Sequence, residues 1–150
     1  LAMDIYSGLV FGNMKSWIWW QGSELSGISN YSLMSGITCG KKYYVSKHFF
    51  RFIRPGAVRI SCSSDDPEVF AVAFEHQSKE TETIVIINSA NASRSVILNG
   101  SDLPSSFNIY VTTGSGNNCS EAGTYSTAGT NRFDIPAMSV VTLQAGGNPL

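Results

Sequence analysis

Residues 41–63, KKYYVSKHFFRFIRPGAVRISCS, pass from a helical repeat to a strand repeat within three positions, and that change divides the chain. Tyr44, His48 and Phe52 fall four apart, as do Val45, Phe49 and Ile53, while Lys41, Lys42, Lys47 and Arg51 take the remaining directions. This is the pattern of one amphipathic helix with a wide aromatic stripe. Arg51 and Arg54 stand at its end, where cations suit the negative pole of the helix dipole, and Pro55-Gly56 cannot continue it. From Ala57 the period becomes two, and Val58, Ile60 and Cys62 share one face of a strand. The chain before this junction reads as mixed α and β; the chain after it reads as all-β.

Length and composition bound the rest. With 150 residues, 43% of them hydrophobic, the chain can bury one good core and a smaller second cluster, but a whole (β/α)8 barrel needs roughly 250 residues. Ten basic and eleven acidic residues give a net charge of −1. That balance leaves no electrostatic footprint for nucleic acid or an anionic membrane, and it suits a neutral polar polymer. No apolar run approaches the ~20 residues of a transmembrane helix, and no basic-then-apolar leader opens the sequence. The three cysteines, Cys39, Cys62 and Cys119, lack metal-ligand spacing, so neither a metal nor a cofactor is expected. Cys62 is expected to be a small buried hydrophobe, and a Cys39–Cys119 disulfide stays open. Asn30, Asn91, Asn99 and Asn118 begin N-x-Ser sequons, read here as turn asparagines.

Along the chain, Ala2, Ile5 and Leu9 repeat at helical spacing, and Gly12-Asn13 closes that helix. Gly8 inside it points to close packing against a neighbour. Lys15 to Trp20, KSWIWW, is a compact apolar run of the kind that forms a buried strand of a parallel sheet. No other strand is expected before Ala57, so the backbone groups of this run need strands from elsewhere on both sides. The Ser- and Gly-rich stretch 21–40 reads as one long loop, a usual carrier of ligand contacts. Short strands then follow at Val69–His76, Thr83–Asn88, Ser93–Leu98, Phe107–Thr112, weakly near Tyr125, Arg132–Ile135 and Ser139–Gln144, with turn chemistry between them, including Gly114–Ser120. The fold class is therefore mostly β: an antiparallel β-sandwich of about seven to nine strands over 57–146, preceded by a helix-strand-helix unit over 1–54.

The run HFFRFIRPGAVRI, His48 to Ile60, resembles the junction of glycoside hydrolase family 30, a family that includes bacterial endo-xylanases. There the last helix of a (β/α)8 barrel turns through an Arg-Pro-Gly corner into an accessory sandwich. The resemblance is strong from Trp17 to Ile60. Across the sandwich it rests on strand pattern and on Pro136-Ala137-Met138-Ser139-Val140. It implies a secreted or periplasmic retaining endo-β-glycanase acting on a β-linked polysaccharide such as xylan. Such an enzyme needs two carboxyl groups about 5 Å apart. The family's two glutamates lie on earlier barrel strands, so no catalytic residue is assigned within this chain.

The substrate-side residues that the resemblance implies are Trp19, Trp20, Gln21 and Glu24. Indole faces stack on the axial C–H groups of pyranoses, and the family's tryptophan at the end of the eighth strand matches Trp20. Trp17 and Trp19, on the other face of the run, are expected to pack. In glucuronoxylan-specific members an arginine stands four residues after that tryptophan and pairs with the uronate; this chain carries Glu24, which would repel it. A neutral backbone is therefore expected as substrate. His48 and His76 are too isolated from each other and from other ligands to make a metal site or a triad, and His48 is read as a satisfied packing histidine. The implied partners are the polysaccharide and either an N-terminal barrel portion or a second copy meeting the bare barrel edge. Two rival readings stay open: a free carbohydrate-binding or interaction module, with Tyr110, Tyr125 and Phe133 as its platform, and a purely structural buttress.

Overall fold

A computed structural model of the chain describes residues 1–129 and 131–147. Eight strands form the antiparallel sandwich: β4 (Val58–Ile60), β5 (Val69–His76), β6 (Thr81–Asn88), β7 (Arg94–Val96), β8 (Ser106–Thr112), β9 (Asn118–Ser126), β10 (Phe133–Ile135) and β11 (Ser139–Gly146). Six make one sheet in the order β4-β5-β6-β11-β8-β9, and β10-β7 make a small second sheet. Two helices, α1 (Ala2–Val10) and α2 (Lys41–Phe50), complete the described helical structure apart from a single 3-10 turn at Gln77–Lys79. None of the described helices is long and apolar enough to cross a membrane.

Alternation along the strands gives the six-stranded sheet two apolar faces, as the period-two pattern requires. Val69, Ala73, Ile84, Ile86, Phe107, Ile109, Val111, Val141 and Leu143 point toward the two-stranded layer and pack with Tyr125 and Ile135. Val72, Phe74, Val85, Ile87 and Val140 point the other way and pack with Ile5 of α1 and Phe49 of α2. The central strand β11 is buried from Ser139 to Ala145 because it is covered on both faces.

The helix-to-strand corner is built as its sequence demands, with one addition. Gly56 has φ +98°, and a Cβ there would sit 3.1 Å from Nε2 of His76. That ring is close because His76 Nε2–H donates to the carbonyl of Pro55 at 3.0 Å. His76 is thus the clamp on the Arg-Pro-Gly turn. Only glycine combines that φ with so close an approach.

α2 is docked on the sheet through a buried polar pair. His48 is fully buried, with Nδ1 2.7 Å from Thr142 Oγ1 and Nε2 2.8 Å from Thr112 Oγ1. Thr112 Oγ1 also accepts the backbone N–H of Cys119 at 2.7 Å, so its own hydroxyl proton is free to donate to the ring. Burial, reinforced by the nearby Lys47 charge, lowers the His48 pKa from 6.5 to about 3, and the imidazole is neutral at ordinary pH. The expectation of a satisfied packing histidine is met.

Lys15–Trp20 joins no ladder among the described residues, and the sequence had already left its backbone groups to strands from elsewhere. Its side chains still alternate, Trp17 and Trp19 half-buried, Ile18 and Trp20 exposed. Residues 21–40 are not one open loop before Ala57. They contain three two-residue strands, β1 (Ser23–Glu24), β2 (Met34–Ser35) and β3 (Thr38–Cys39), with β1-β2 parallel and β2-β3 antiparallel. So long a connection must place its backbone donors somewhere, and two-residue pairings leave no readable alternation. β9 begins at Asn118, inside the expected turn 114–120. Register shifts against β8, with positive φ at Cys119 and Gly123, hide its period. Cys62, expected on the inward face of this strand, lies beyond β4, which ends at Ile60, and is exposed; Val58 at the edge of the sheet is 66% exposed. All three cysteines are free thiols.

Candidate functional site

The site is built where the run Lys15–Trp20 ends. Gly8 of α1 leaves room for Trp17: a Cβ on that glycine would lie 3.1 Å from the Trp17 ring and 3.1 Å from Met14 Sδ. This is the close packing that Gly8 foretold, and it fixes the start of the run. Two residues on, Trp19 Nε1–H donates to the Tyr31 carbonyl at 2.8 Å. The same carbonyl accepts the Gln21 N–H, while Leu33 N–H donates to Gln21 O at 3.1 Å and Met34 N–H to Gly22 O at 3.0 Å. These bonds tie 19–22 to 31–34 and set the turn after Trp20.

Trp20, on the opposite face from Trp19, is 78% exposed. Its indole packs into neither core cluster, which leaves a broad aromatic face open to a ligand. Beside it, Gln21 Nε2–H donates to Glu24 Oε1 at 2.7 Å, and Ser29 Oγ–H donates to the same oxygen at 2.9 Å. The Glu24 carboxylate is thereby oriented through one oxygen, and both recorded donors avoid Oε2. Ser32, fully buried, accepts the Ser29 N–H at 2.9 Å, and Lys42 Nζ of α2 donates to Ser29 O at 2.6 Å. The loop is therefore anchored to α2.

The four residues expected at the site, Trp19, Trp20, Gln21 and Glu24, thus meet in one constellation. Trp19 serves it as a pinned support and Trp20 as an open face. Sequence reasoning missed Ser29, Tyr31 and Ser32, which hold that constellation together. The only available signal was their density of short polar residues in a long loop. The aromatic platform of the rival module is not formed. Tyr125 is a core residue whose hydroxyl donates to Asn131 O at 3.0 Å and accepts the Leu98 N–H at 3.2 Å. Phe133 packs on Tyr125 at 4.8 Å between ring centroids, and Tyr110 on Phe52 at 4.7 Å.

One carboxyl pair was also missed. Glu75 of β5 and Glu82 of β6 are directly opposite partners in the ladder, beside a cleft of about 1330 Å³ between the large sheet and the segment that follows β7. Burial, then the Glu75 charge, raises the Glu82 pKa above the ordinary carboxylate value. Such facing like charges weaken a sheet.

An eight-stranded antiparallel sandwich carrying two helices on the outer face of its larger sheet is the class of module that these features define. The chain belongs to glycosyl hydrolase family 30: the profile of the "Glycosyl hydrolase family 30 beta sandwich domain" matches residues 56–143. It is 30% identical over 148 residues to the glucuronoxylanase XynC of Bacillus subtilis strain 168, a match covering 95% of this chain and 33% of that protein. The solved GH30 endoxylanase of Clostridium papyrosolvens C71 superposes over 97% of this chain and 37% of that one, with a TM-score of 0.83 and 26% identity. The family 30 subfamily 8 xylanase Xyn30A of Clostridium acetobutylicum shares the fold, with a TM-score of 0.77 over 97% of this chain and 38% of that one at 24% identity. The chain spans about a third of the length of the curated relatives it matches.

Proposed function

We propose that the chain is the C-terminal part of a retaining endo-β-glycanase that hydrolyses xylan outside the cytoplasm. In this reading 1–54 is the end of a (β/α)8 barrel and 57–146 its docked sandwich. Lys15–Trp20 is the eighth barrel strand, and its ladder partners, like the catalytic carboxyl pair, belong to the N-terminal barrel portion. The observation that carries the reading is Lys15–Trp20 itself: a two-faced, tryptophan-rich segment without a ladder among the described residues that ends in an exposed indole beside an oriented carboxylate. Backbone groups in an apolar run need partners, and a barrel supplies them on both sides.

Trp20 stacks on the sugar next to the scissile bond, Trp19 supports it, and Gln21 with Glu24 offers hydrogen bonds to hydroxyls. Glu24 in place of a cation selects a neutral backbone over one carrying uronate side groups. A polymeric substrate that cannot enter a cell requires a secreted or periplasmic enzyme.

The test is the full-length polypeptide encoded by the gene, assayed on unsubstituted and uronate-substituted xylan with the product anomer followed by NMR. Endo-hydrolysis with retention, faster on the unsubstituted chain, is expected. Trp20→Ala should lower kcat/KM about tenfold, in line with a loss of ~1–2 kcal/mol of stacking. Hydrolysis that is unaffected by Trp20→Ala, or that proceeds with inversion, would contradict the assignment.

A further inference from the structure

We propose that the face of α2 bearing Tyr43, Ser46, Lys47, Phe50, Arg51 and Arg54 docks a carboxylate-bearing segment of the N-terminal barrel portion. The proposal rests on the barrel reading above and adds the chemistry of the joint. α2 turns His48, Phe49 and the following Phe52 into the protein, all buried. On another face these six residues and Leu33 line an open groove of about 440 Å³. Phe50 in that groove is 43% exposed, an uncovered aromatic ring in a surface otherwise built to be covered.

The polar atoms of the groove carry the argument. Arg51 Nε, Arg54 Nε and Ser46 Oγ are all shielded from solvent and have no hydrogen-bond partner among the described residues. The Arg51 guanidinium lies over the Phe52 and Tyr110 rings, at 5.3 and 5.8 Å from their centroids, which holds it in place without giving its N–H groups an acceptor. A buried donor left without an acceptor costs about 1–3 kcal/mol, more when charged, so native proteins seldom leave three together. α2 contains no acidic residue. The ion pairs of side chains with side chains among the described residues join Arg94 to Asp66 and Glu68, away from this helix.

Three cations along one helical stripe repel one another until an anion lies between them, and the guanidinium fork matches a carboxylate in shape as well as charge. The occupant is therefore a segment that presents Asp or Glu flanked by apolar side chains to cover Phe50 and Tyr43. The barrel portion is its source because the relatives carry about twice as much further chain as this one spans, with 33% of their length matched. The groove also adjoins the unpaired region: Leu33, which lines it, donates its N–H to Gln21 O in the candidate site.

The experiment uses the full-length polypeptide. Carbodiimide coupling followed by peptide mass spectrometry should join Lys47 to an Asp or Glu of the N-terminal portion. R51Q/R54Q should lower the unfolding midpoint at low salt and at ~1 M salt alike, because a shielded ion pair is screened far less than an exposed one. R51K/R54K, which keeps both charges, should lose less. An unchanged midpoint in R51Q/R54Q would overturn the proposal, as would equal losses in R51Q/R54Q and R51K/R54K, or Lys47 joined only to residues of the present chain in a second copy. Xylan hydrolysis by the parent enzyme separates the two readings. An active parent with indifferent arginine variants sinks the docking face alone, whereas an inactive parent with a charge-dependent loss sinks the substrate assignment alone.

Discussion

The sandwich and the segment 15–40 solve the same problem in opposite ways. In the sandwich, β5, β6 and β11 satisfy one another along full-length ladders, and the sheet they form has a packed cluster on each face. In 15–40 the run Lys15–Trp20 has no ladder, the strands are two residues long, and large apolar side chains face outward: Ile18, Leu25 and Ile37 are each at least 90% exposed. The same hydrophobic composition is thus self-satisfied in one region and unspent in the other. Apolar content alone does not say whether a segment is finished; the destination of its backbone bonds does.

The sharpest way to break that contrast is a matched pair of truncations. Leu143→Ala, at a fully buried centre of β11, should cost about 3 kcal/mol and lower the thermal midpoint by roughly 6–12 °C. Ile37→Ala removes as much side chain from the other region and should change the midpoint of this chain by no more than ~1 °C. Equal losses at the two positions, read by differential scanning calorimetry, would show that 15–40 is packed after all.

His48 sharpens the comparison at the seam. Its folded pKa of about 3 lies below the unfolded value of 6.5, so the folded state favours the neutral ring. Its contribution is complete above pH ~6.5 and is lost progressively as the pH falls toward 3, at up to about 1.4 kcal/mol per pH unit. Urea unfolding across that window should show this slope in the parent and lack it in His48→Gln. The smallest effect is expected at the cleft: Glu82 has a raised pKa, so its charge opposes folding above the ordinary carboxylate range. Glu82→Gln should raise the midpoint at pH 7 by about 1 °C once solvent screening is allowed for.

What could be read from the sequence follows the same division. Val69–His76 is bounded as its alternation indicates, and β6, β8 and β11 differ by at most two residues at an end, because each buries a face along its whole length. β9 was blurred because its bulges break the period on which such reading depends. Cys62 was expected to be buried and is exposed, since a strand pattern tells neither where the ladder ends nor whether a second layer covers it. The clamping contact of His76 was not foreseen because its partner is a backbone carbonyl 21 residues away, which no local pattern reports. At the candidate site, Trp20 and Glu24 were singled out through the family resemblance. Ser29, Tyr31 and Ser32, whose roles are hydrogen bonds within a folded loop, were not.

The central claim is that Lys15–Trp20 is a barrel strand waiting for neighbours. Native-state hydrogen exchange tests it most directly, comparing this chain with the full-length polypeptide. The amides of β5, β6 and β11 should be strongly protected in both, while those of Trp17 to Trp20 should exchange near unfolded rates in this chain and become protected in the longer one. Strong protection of Trp17 to Trp20 in this chain alone, or none in the full-length polypeptide, would contradict it.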